Sequence, residues 1–450
     1  MIRSLPRVPI AGTSSGCGKT TAVTTILTLL KRRGVRVSAA KCGPDYIDPM
    51  FHEAVLGVPS SNLDPFFCGG NLLRSLLAGA EGELAVVEGV MGYYDGTGPD
   101  GENSTFTVAR ETDTPVILVV NGRGASASLL AVLEGFLRFM PDSGIRGVLF
   151  TNVTAMTYAQ LKSWTDARFG SRITVVGYLP RLPEGCLLGS RHLGLVTPAE
   201  TADLSGKLEK TADLAEPAVD LDALIAVARS AGPLAFDAPE IPHIGSFRLA
   251  LARDDAFCFY YRDTLRLFEK MGAELLPFSP LADEQVPGQA DGLLLGGGYP
   301  ELHAETLARN ENTKESICRA IASGMPVLAE CGGFQYLGKT LSGQAMCGIL
   351  PHDSENAGKL VRFGYITLTA KESGLLGPAG TALPAHEFHY FDSSENGGAF
   401  SAVKPSGRGW TCGIHTATMY AGYPHLFLPA NVGAAEAFCR KCLAYKENKG

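Results

Sequence analysis

The sequence predicts an α/β protein built from two parallel-sheet domains. Three observations lead there. Short apolar runs lack the polar alternation of a half-exposed strand, helical segments separate them, and the alternation begins again after a mid-chain change of composition. The 450 residues suffice for two or three cores. Charged residues make up 19% and glycines number 53, so buried strands and backbone-lined sites are expected.

Val8 to Ala11 reads as the first strand, with Pro9 an awkward residue inside it. Lys19 to Arg33 reads as a helix, with Val23, Ile26, Leu27 and Leu30 on one face and Gly34 as its stop. Val35 to Ala40, Leu84 to Val87, Pro115 to Val120, Gly147 to Phe150 and Ile173 to Gly177 supply further strands. From Val196 to Ile244 the composition turns to Ala, Asp, Glu and Pro with one helix at Leu221 to Ala231, which reads as a linker. A second unit follows: strand Arg248 to Ala252, helix Tyr260 to Met271, strand Gly292 to Leu295, helix Leu302 to Ala322, strand Pro326 to Ala329 and a tail helix from Ala434 to Glu447. The expected division is therefore 1–195, a linker 196–245, and 246–450.

The net charge of -7, without a block of like charge, argues against nucleic acid or an anionic membrane as partner. Met1 to Pro9 has no signal-peptide core and no apolar run of about 18 residues occurs, so a cytoplasmic protein is expected. The 11 scattered cysteines do not form a disulfide framework, and Cys439 and Cys442 lack a second pair and read as ordinary helix residues.

Gly12-Thr13-Ser14-Ser15-Gly16-Cys17-Gly18-Lys19-Thr20 lies between the first strand and the first helix, the place of a phosphate-binding loop. Glycines let backbone N–H groups wrap a phosphate and the helix N-terminus adds positive potential. Lys19 reaches the outer phosphates and the Thr20 hydroxyl suits Mg²⁺. The first glycine sits one position early for the usual spacing. Metal-binding carboxylates belong at the ends of neighbouring strands. Asp45 and Asp48 follow the second, and Glu88 and Asp95 follow the third; of these, Asp45 and Glu88 are favoured as ligands. Lys41 is placed to neutralise a transferred phosphoryl group.

In the second half, Val327-Leu328-Ala329-Glu330-Cys331-Gly332-Gly333-Phe334-Gln335 puts a cysteine at a strand-to-helix turn between glycines. Such a turn exposes sulfur at the sheet rim beside N–H donors for an oxyanion. Leu295-Gly296-Gly297-Gly298-Tyr299-Pro300-Glu301 follows another strand and offers a second set of N–H groups at the same rim. A histidine late in the chain is expected as base, and His386, His389, His415 and His425 all qualify by spacing. His386 and His389 with Glu387 are poor metal ligands, because i, i+3 on a strand faces opposite ways.

Together these residues resemble the cobyrinic acid a,c-diamide synthase family of ATP-dependent, glutamine-using amidotransferases. The likeness covers nearly the whole chain, through Gly-Pro-Asp-Tyr-Ile-Asp-Pro (43–49), Glu-Gly-Val-Met-Gly-Tyr-Tyr-Asp-Gly (88–96), Arg-His-Leu-Gly-Leu (191–195), Gly-Gly-Gly-Tyr-Pro-Glu (296–301), Glu-Cys-Gly-Gly (330–333) and His-Glu-Phe-His (386–389), in that order. The resemblance implies a P-loop NTPase-like domain of the dethiobiotin synthetase branch, then a flavodoxin-like class I glutamine amidotransferase domain. It implies Cys331 as nucleophile, His425 as base, and an oxyanion hole from Gly297, Gly298 and Gly332. An acid usually stands two positions after that histidine; here the residue is Phe427, so a Cys–His dyad is expected.

The resemblance further implies ATP bound by Gly12, Thr13, Ser14, Ser15, Gly16, Gly18, Lys19, Thr20 and Lys41, with Mg²⁺ on Thr20, Asp45 and Glu88. Tyr46, Ile47, Asp48 and Asp95 would contact a tetrapyrrole acid whose acetate groups are amidated through acyl phosphates. Its partners are small molecules, and homodimerisation stays open. The same motifs would serve hydrogenobyrinic acid or nickel-sirohydrochlorin as substrate. A P-loop scaffold ATPase with an inactive glutaminase-like domain is the reading from another class; it calls for a second lysine near Ser14, which is absent.

Overall fold

The computed structural model describes residues 1–186 and 201–449, so the 191–195 motif lies outside the described residues. The chain divides into two compact units, Met1–Pro239 and Glu240–Gly450.

The first unit holds seven parallel strands: β1 (Arg7–Gly12), β2 (Val37–Cys42), β3 (Ser60–Leu63), β4 (Leu84–Glu88), β5 (Val116–Asn121), β6 (Ile145–Thr151) and β7 (Thr174–Leu179). Their order is β3-β2-β4-β1-β5-β6-β7. The apolar runs became these strands because helices cover both faces. Pro9 is tolerated in central β1 because pairing with β5 starts only at Ile10, one residue later. Strand β3, Ser-Ser-Asn-Leu, has no apolar run and was not expected; its buried polar groups instead hold neighbouring loops, as described below.

Helix Lys19–Arg32 buries Val23, Ile26, Leu27 and Leu30 against the sheet, each contributing about 1.5–3 kcal/mol. The stretch read as a linker supplies two further helices, Thr201–Ala215 and Leu221–Arg229. Their Leu204, Leu208, Ala212, Leu224 and Val227 belong to the same core as Val8, Ile10 and Ile26. Arg32 pairs with Asp213 at 2.8 Å. Leu234–Ala235 pairs antiparallel with Ile2–Arg3. The first unit thus runs to Pro239 and not to residue 195, since leucines four apart in an Ala-rich segment make an amphipathic helix that must be covered.

In the second unit, β8 (Phe247–Ala252), β9 (Ala273–Phe278), β10 (Gly292–Leu295) and β11 (Val327–Glu330) are followed by β12 (Arg362–Ala370), β13 (Ala382–His389), β14 (Phe400–Val403) and β15 (Gly409–Cys412). Then come β16 (Ile414–His415), β17 (Met419–Gly422) and β18 (His425–Leu426). One sheet runs β9-β8-β10-β11-β17-β16, parallel except for β16. Its first five strands have the flavodoxin-like order. An antiparallel sheet, β15-β14-β12-β13-β18, packs Ile366, Leu368 and Ala385 into one core with Leu249 and Leu251. The expected helix Leu302 to Ala322 is broken into Ala304–Arg309 and Glu311–Ala322. Asn310 sits between them at ψ 74°, its Nδ2 donating to the carbonyls of Pro280 and Leu281. Cys439 and Cys442 are buried in the core on helix Val432–Lys449.

Candidate functional site

The glycine-rich segment leaves β1 at the carboxyl edge of the sheet. Gly16 (φ 72°) and Gly18 (φ 98°) take left-handed conformations, and Gly18 caps the helix that begins at Lys19. A side chain at Gly12 would put its Cβ 2.4 Å from Cys17 Sγ and 2.7 Å from Lys19 Cδ, so the loop closes only over glycine. Thr13 N–H donates to the Val119 carbonyl at 3.2 Å, and Lys19 Nζ donates to the Ser14 carbonyl at 3.0 Å. Lys19 is buried, which holds its ammonium below the ordinary lysine range although Cys17, Glu88 and Asp95 oppose the shift.

A buried charge network lies beside this loop. The register of β2, β4 and β1 sets Lys41 and Ile10 on either side of Glu88. Thr20 Oγ1 donates to Glu88 Oε1 at 2.6 Å, Lys41 Nζ lies 3.3 Å from the same oxygen, and His52 Nε2 is 3.2 Å from Oε2. Burial and Asp48 oppose ionisation of Glu88, but Lys41 and His52 hold it below the usual carboxylate range. Lys41 pairs with Asp48 at 2.6 Å; burial would lower the lysine, yet Asp48, Glu88 and Asp45 together raise it. Asp45 accepts from Ile47 N–H at 2.9 Å, while burial and Asp48 push its carboxyl up to about 7 against Lys41. The Asp45 carbonyl accepts from Asn62 of β3 at 2.8 Å.

The sequence candidates therefore divide. Thr20, Lys41, Asp45, Asp48 and Glu88 come together; Asp48 is engaged with Lys41, and Tyr46 is buried. Asp95 is exposed and accepts from Gly92 N–H at 2.8 Å within its own loop. His52 and Asn62 were missed. Asp48 and His52, four apart on helix Ile47–Ala54 and both buried, share a helix face, which was the available signal.

In the second unit Cys331 stands at the end of β11 with φ 48° and ψ -100°, a strained turn, and its side chain is buried where the sequence suggested an exposed sulfur. Its N–H donates to the Gly422 carbonyl at 2.7 Å. His425, at β18, hydrogen-bonds the Cys331 side chain. Burial would lower its imidazole, but Cys331 and then Glu330 raise it to about 10. A Cβ at Gly297 would lie 2.5 Å from His425 Cε1 and 3.4 Å from Cys331 Cβ. Gly298 adopts φ 155°, and a Cβ on Gly332 would lie 3.3 Å from the Gly298 nitrogen, so these two backbones pack closely together at the turn that carries Cys331. The glycines thus meet the pair at one rim, as required for an oxyanion hole.

The other histidines have different surroundings. His415 accepts from Leu376 N–H at 2.9 Å. Alternation along β13 buries Glu387 and His389 and leaves His386 on the other face, opposite His425 in register. His389 stacks on Tyr423 at 3.8 Å, and the Tyr423 hydroxyl lies 2.9 Å from Ser393 Oγ. Tyr423, Ser393 and Glu330 were not picked out, since the contacts that matter span tens of residues.

A nucleotide-binding loop on a parallel sheet, and a cysteine at the end of a flavodoxin-like strand paired with a histidine from the antiparallel sheet beside it, define a P-loop protein carrying a glutamine amidotransferase domain. Family models agree: residues 8–196 match the CobQ/CobB/MinD/ParA nucleotide binding domain, and residues 248–432 match the CobB/CobQ-like glutamine amidotransferase domain. Full-length relatives narrow this. The chain is 40% identical to a cobyrinate a,c-diamide synthase of Listeria monocytogenes over 95% of this chain and 97% of that one. It is 38% identical to that of Salmonella typhimurium (93% and 94%) and 36% identical to that of Thermoplasma volcanium (99% and 99%). The chain belongs to the cobyrinate a,c-diamide synthase family and is a glutamine-dependent, amide-forming ligase that uses ATP. Among solved structures, PurLQS from Thermotoga maritima aligns with TM-score 0.33 and 16% identity over 44% of this chain and 99% of that one, too distant to add to the assignment. Among the described residues no helix is long and apolar enough to cross a membrane.

Proposed function

We propose that this chain amidates the a and c acetate side chains of cobyrinic acid, using ATP and glutamine-derived ammonia, as a step of cobalamin biosynthesis. The near full-length likeness to cobyrinate a,c-diamide synthases carries the substrate assignment. The reaction is placed in the cytoplasm, on small-molecule substrates.

In the second unit the Cys331 sulfur attacks the side-chain amide of glutamine. The N–H groups of Gly297, Gly298 and Gly332 receive the oxyanion, and His425 gives its proton to the departing ammonia. Water then clears the glutamyl thioester. In the first unit Ser14, Ser15, Gly16 and Gly18 wrap the phosphates with backbone N–H groups, Gly12 and Thr13 shape the loop at the end of β1, where the Thr13 N–H is held by the Val119 carbonyl, and Lys19 and Lys41 offset the charge on the moving γ-phosphoryl. A substrate carboxylate takes that phosphoryl, and ammonia displaces phosphate from the acyl phosphate. Activation is needed because a carboxylate is a poor electrophile.

The donor set suits Mg²⁺. The Thr20 hydroxyl touches Glu88, a pair of hard oxygens at the loop, and the ion ordinarily takes one or two carboxylates and completes its shell with phosphate oxygens and water. Thr20, Glu88 and Asp45 would hold it, and when bound it supplies charge neutralisation on the β- and γ-phosphates. Tyr46, Ile47 and Asp95 remain the proposed macrocycle contacts. Asp48, also proposed for that role, acts first through Lys41.

The test is purified protein with ATP, Mg²⁺ and glutamine, offered cobyrinic acid and nickel-sirohydrochlorin separately, with product masses read. Two amidations on cobyrinic acid are expected. Turnover of the nickel macrocycle alone would retain the mechanism and overturn the substrate.

A further inference from the structure

The position two residues after His425, where class I glutaminases carry an acid, is filled by Phe427. That ring is buried and packs edge-on against Tyr261, with centroids 5.2 Å apart. A carboxylate reaches the histidine from another strand. Glu330 ends β11, immediately before the nucleophile, and pairs in register with Gly422 of β17, three residues before His425. Its Oε2 lies 3.6 Å from His425 Nδ1, and its Oε1 accepts from the N–H of Leu426 at 3.2 Å. One side chain thus hydrogen-bonds the backbone beside the histidine and stands at ion-pair distance from its ring. We propose that Glu330 is the positioning carboxylate of this glutaminase site, completing a Cys331–His425–Glu330 triad from the strand of the nucleophile. The proposal rests on the reading of Cys331 and His425 as the glutaminase pair.

A carboxylate at Nδ1 fixes the tautomer that turns Nε2 toward the sulfur and favours the imidazolium that donates to ammonia. Other titratable groups around His425 are Cys331, His386 across the strand pair, and Glu387 and His389 on β13. Strand alternation sets Glu387 and His389 on the face away from His386, leaving Glu330 in ion-pair reach of Nδ1. The acid and the nucleophile are neighbours in the chain, so the turn at Cys331 aims both at one imidazole.

Glu330→Gln keeps an oxygen for the Leu426 N–H and removes the charge. The expected result is a glutaminase kcat lower by about 10- to 1,000-fold, a smaller change in KM for glutamine, and retained ammonia-dependent amidation. Because Glu330 is one cause of the raised His425, the alkaline limb of the glutaminase pH profile moves to lower pH in this variant. Glu330→Asp, which keeps the charge, recovers part of the rate. Glutaminase activity within twofold of wild type, an unmoved alkaline limb, or equal loss with ammonia and glutamine would each overturn the proposal. Cys331→Ala measured in parallel separates the two failures. If it keeps glutamine-dependent amidation, the reading of the pair falls and Glu330 with it; if it loses that activity while Glu330→Gln is normal, only the role of Glu330 falls.

Discussion

Thr20 and Glu88, 68 residues apart in the chain, share a 2.6 Å hydrogen bond between the first turn of the phosphate-loop helix and the end of β4. The same carboxylate faces Lys41 at 3.3 Å and His52 at 3.2 Å, so one fully buried group ties together two strands and two helices. Its charge is tolerated because Lys41 and His52 offset the cost of burial.

Glu88→Gln keeps the size of the side chain and removes the charge. ATP-dependent amidation with ammonium is expected to fall by about 10²- to 10³-fold, the scale of one lost electrostatic contact to a transferring group. Glutaminase activity of the second unit stays, and the two assays on one preparation check both halves. Synthetase activity near the wild-type level would remove Glu88 from the site.

Cys331→Ala is expected to abolish glutamine-dependent amidation while high ammonium still supports product formation. Steady-state rates with each nitrogen donor make the comparison. Equal loss with both donors would contradict two separate sites.

Gly297→Ala places a methyl 2.5 Å from His425 Cε1, closer than nonbonded carbons approach. The ring must shift away from the sulfur, so glutaminase activity drops by at least about tenfold, as misplacement of a reacting group does. Ammonia-dependent amidation is the control. An unaffected glutaminase would show that the loop yields instead of the histidine.

Glu387 has a buried Oε2 without a hydrogen-bond partner among the described residues, and burial pushes its carboxyl up to about 7 against Arg362 and His425. A carboxyl raised on folding favours the neutral form, so it costs nothing below the unfolded value of 4.5 and destabilises increasingly as pH rises toward 7. Glu387→Gln is therefore expected to melt with wild type at pH 4.5 and above it at pH 8, by about 1–3 kcal/mol or several degrees. Thermal melts at the two pH values decide it; a variant that melts with or below wild type at pH 8 would contradict it.

Much of the fold was legible because local pattern and tertiary role agreed. Apolar runs such as Leu84 to Val87 became central strands, and the Lys19 helix buried the face its periodicity marked. Ser60 to Leu63 was illegible for the opposite reason, since a polar strand is stabilised by what it supports: Asn62 holds the loop of Asp45, and Ser60 meets His52 at 3.0 Å. The antiparallel strands β12 to β15 were equally hidden, as their burial comes from the facing sheet.

The residue order alone settled the two α/β units, the phosphate loop and the cysteine elbow, because each is a local chain geometry that glycine spacing and strand–helix sequence specify. It could not choose among four histidines, place the domain boundary at Pro239, or bring Glu330 to His425. Those depend on which strands lie side by side. In a sheet, residues far apart in sequence become neighbours through register, and the charge of each buried group is then set by neighbours that no local pattern reveals.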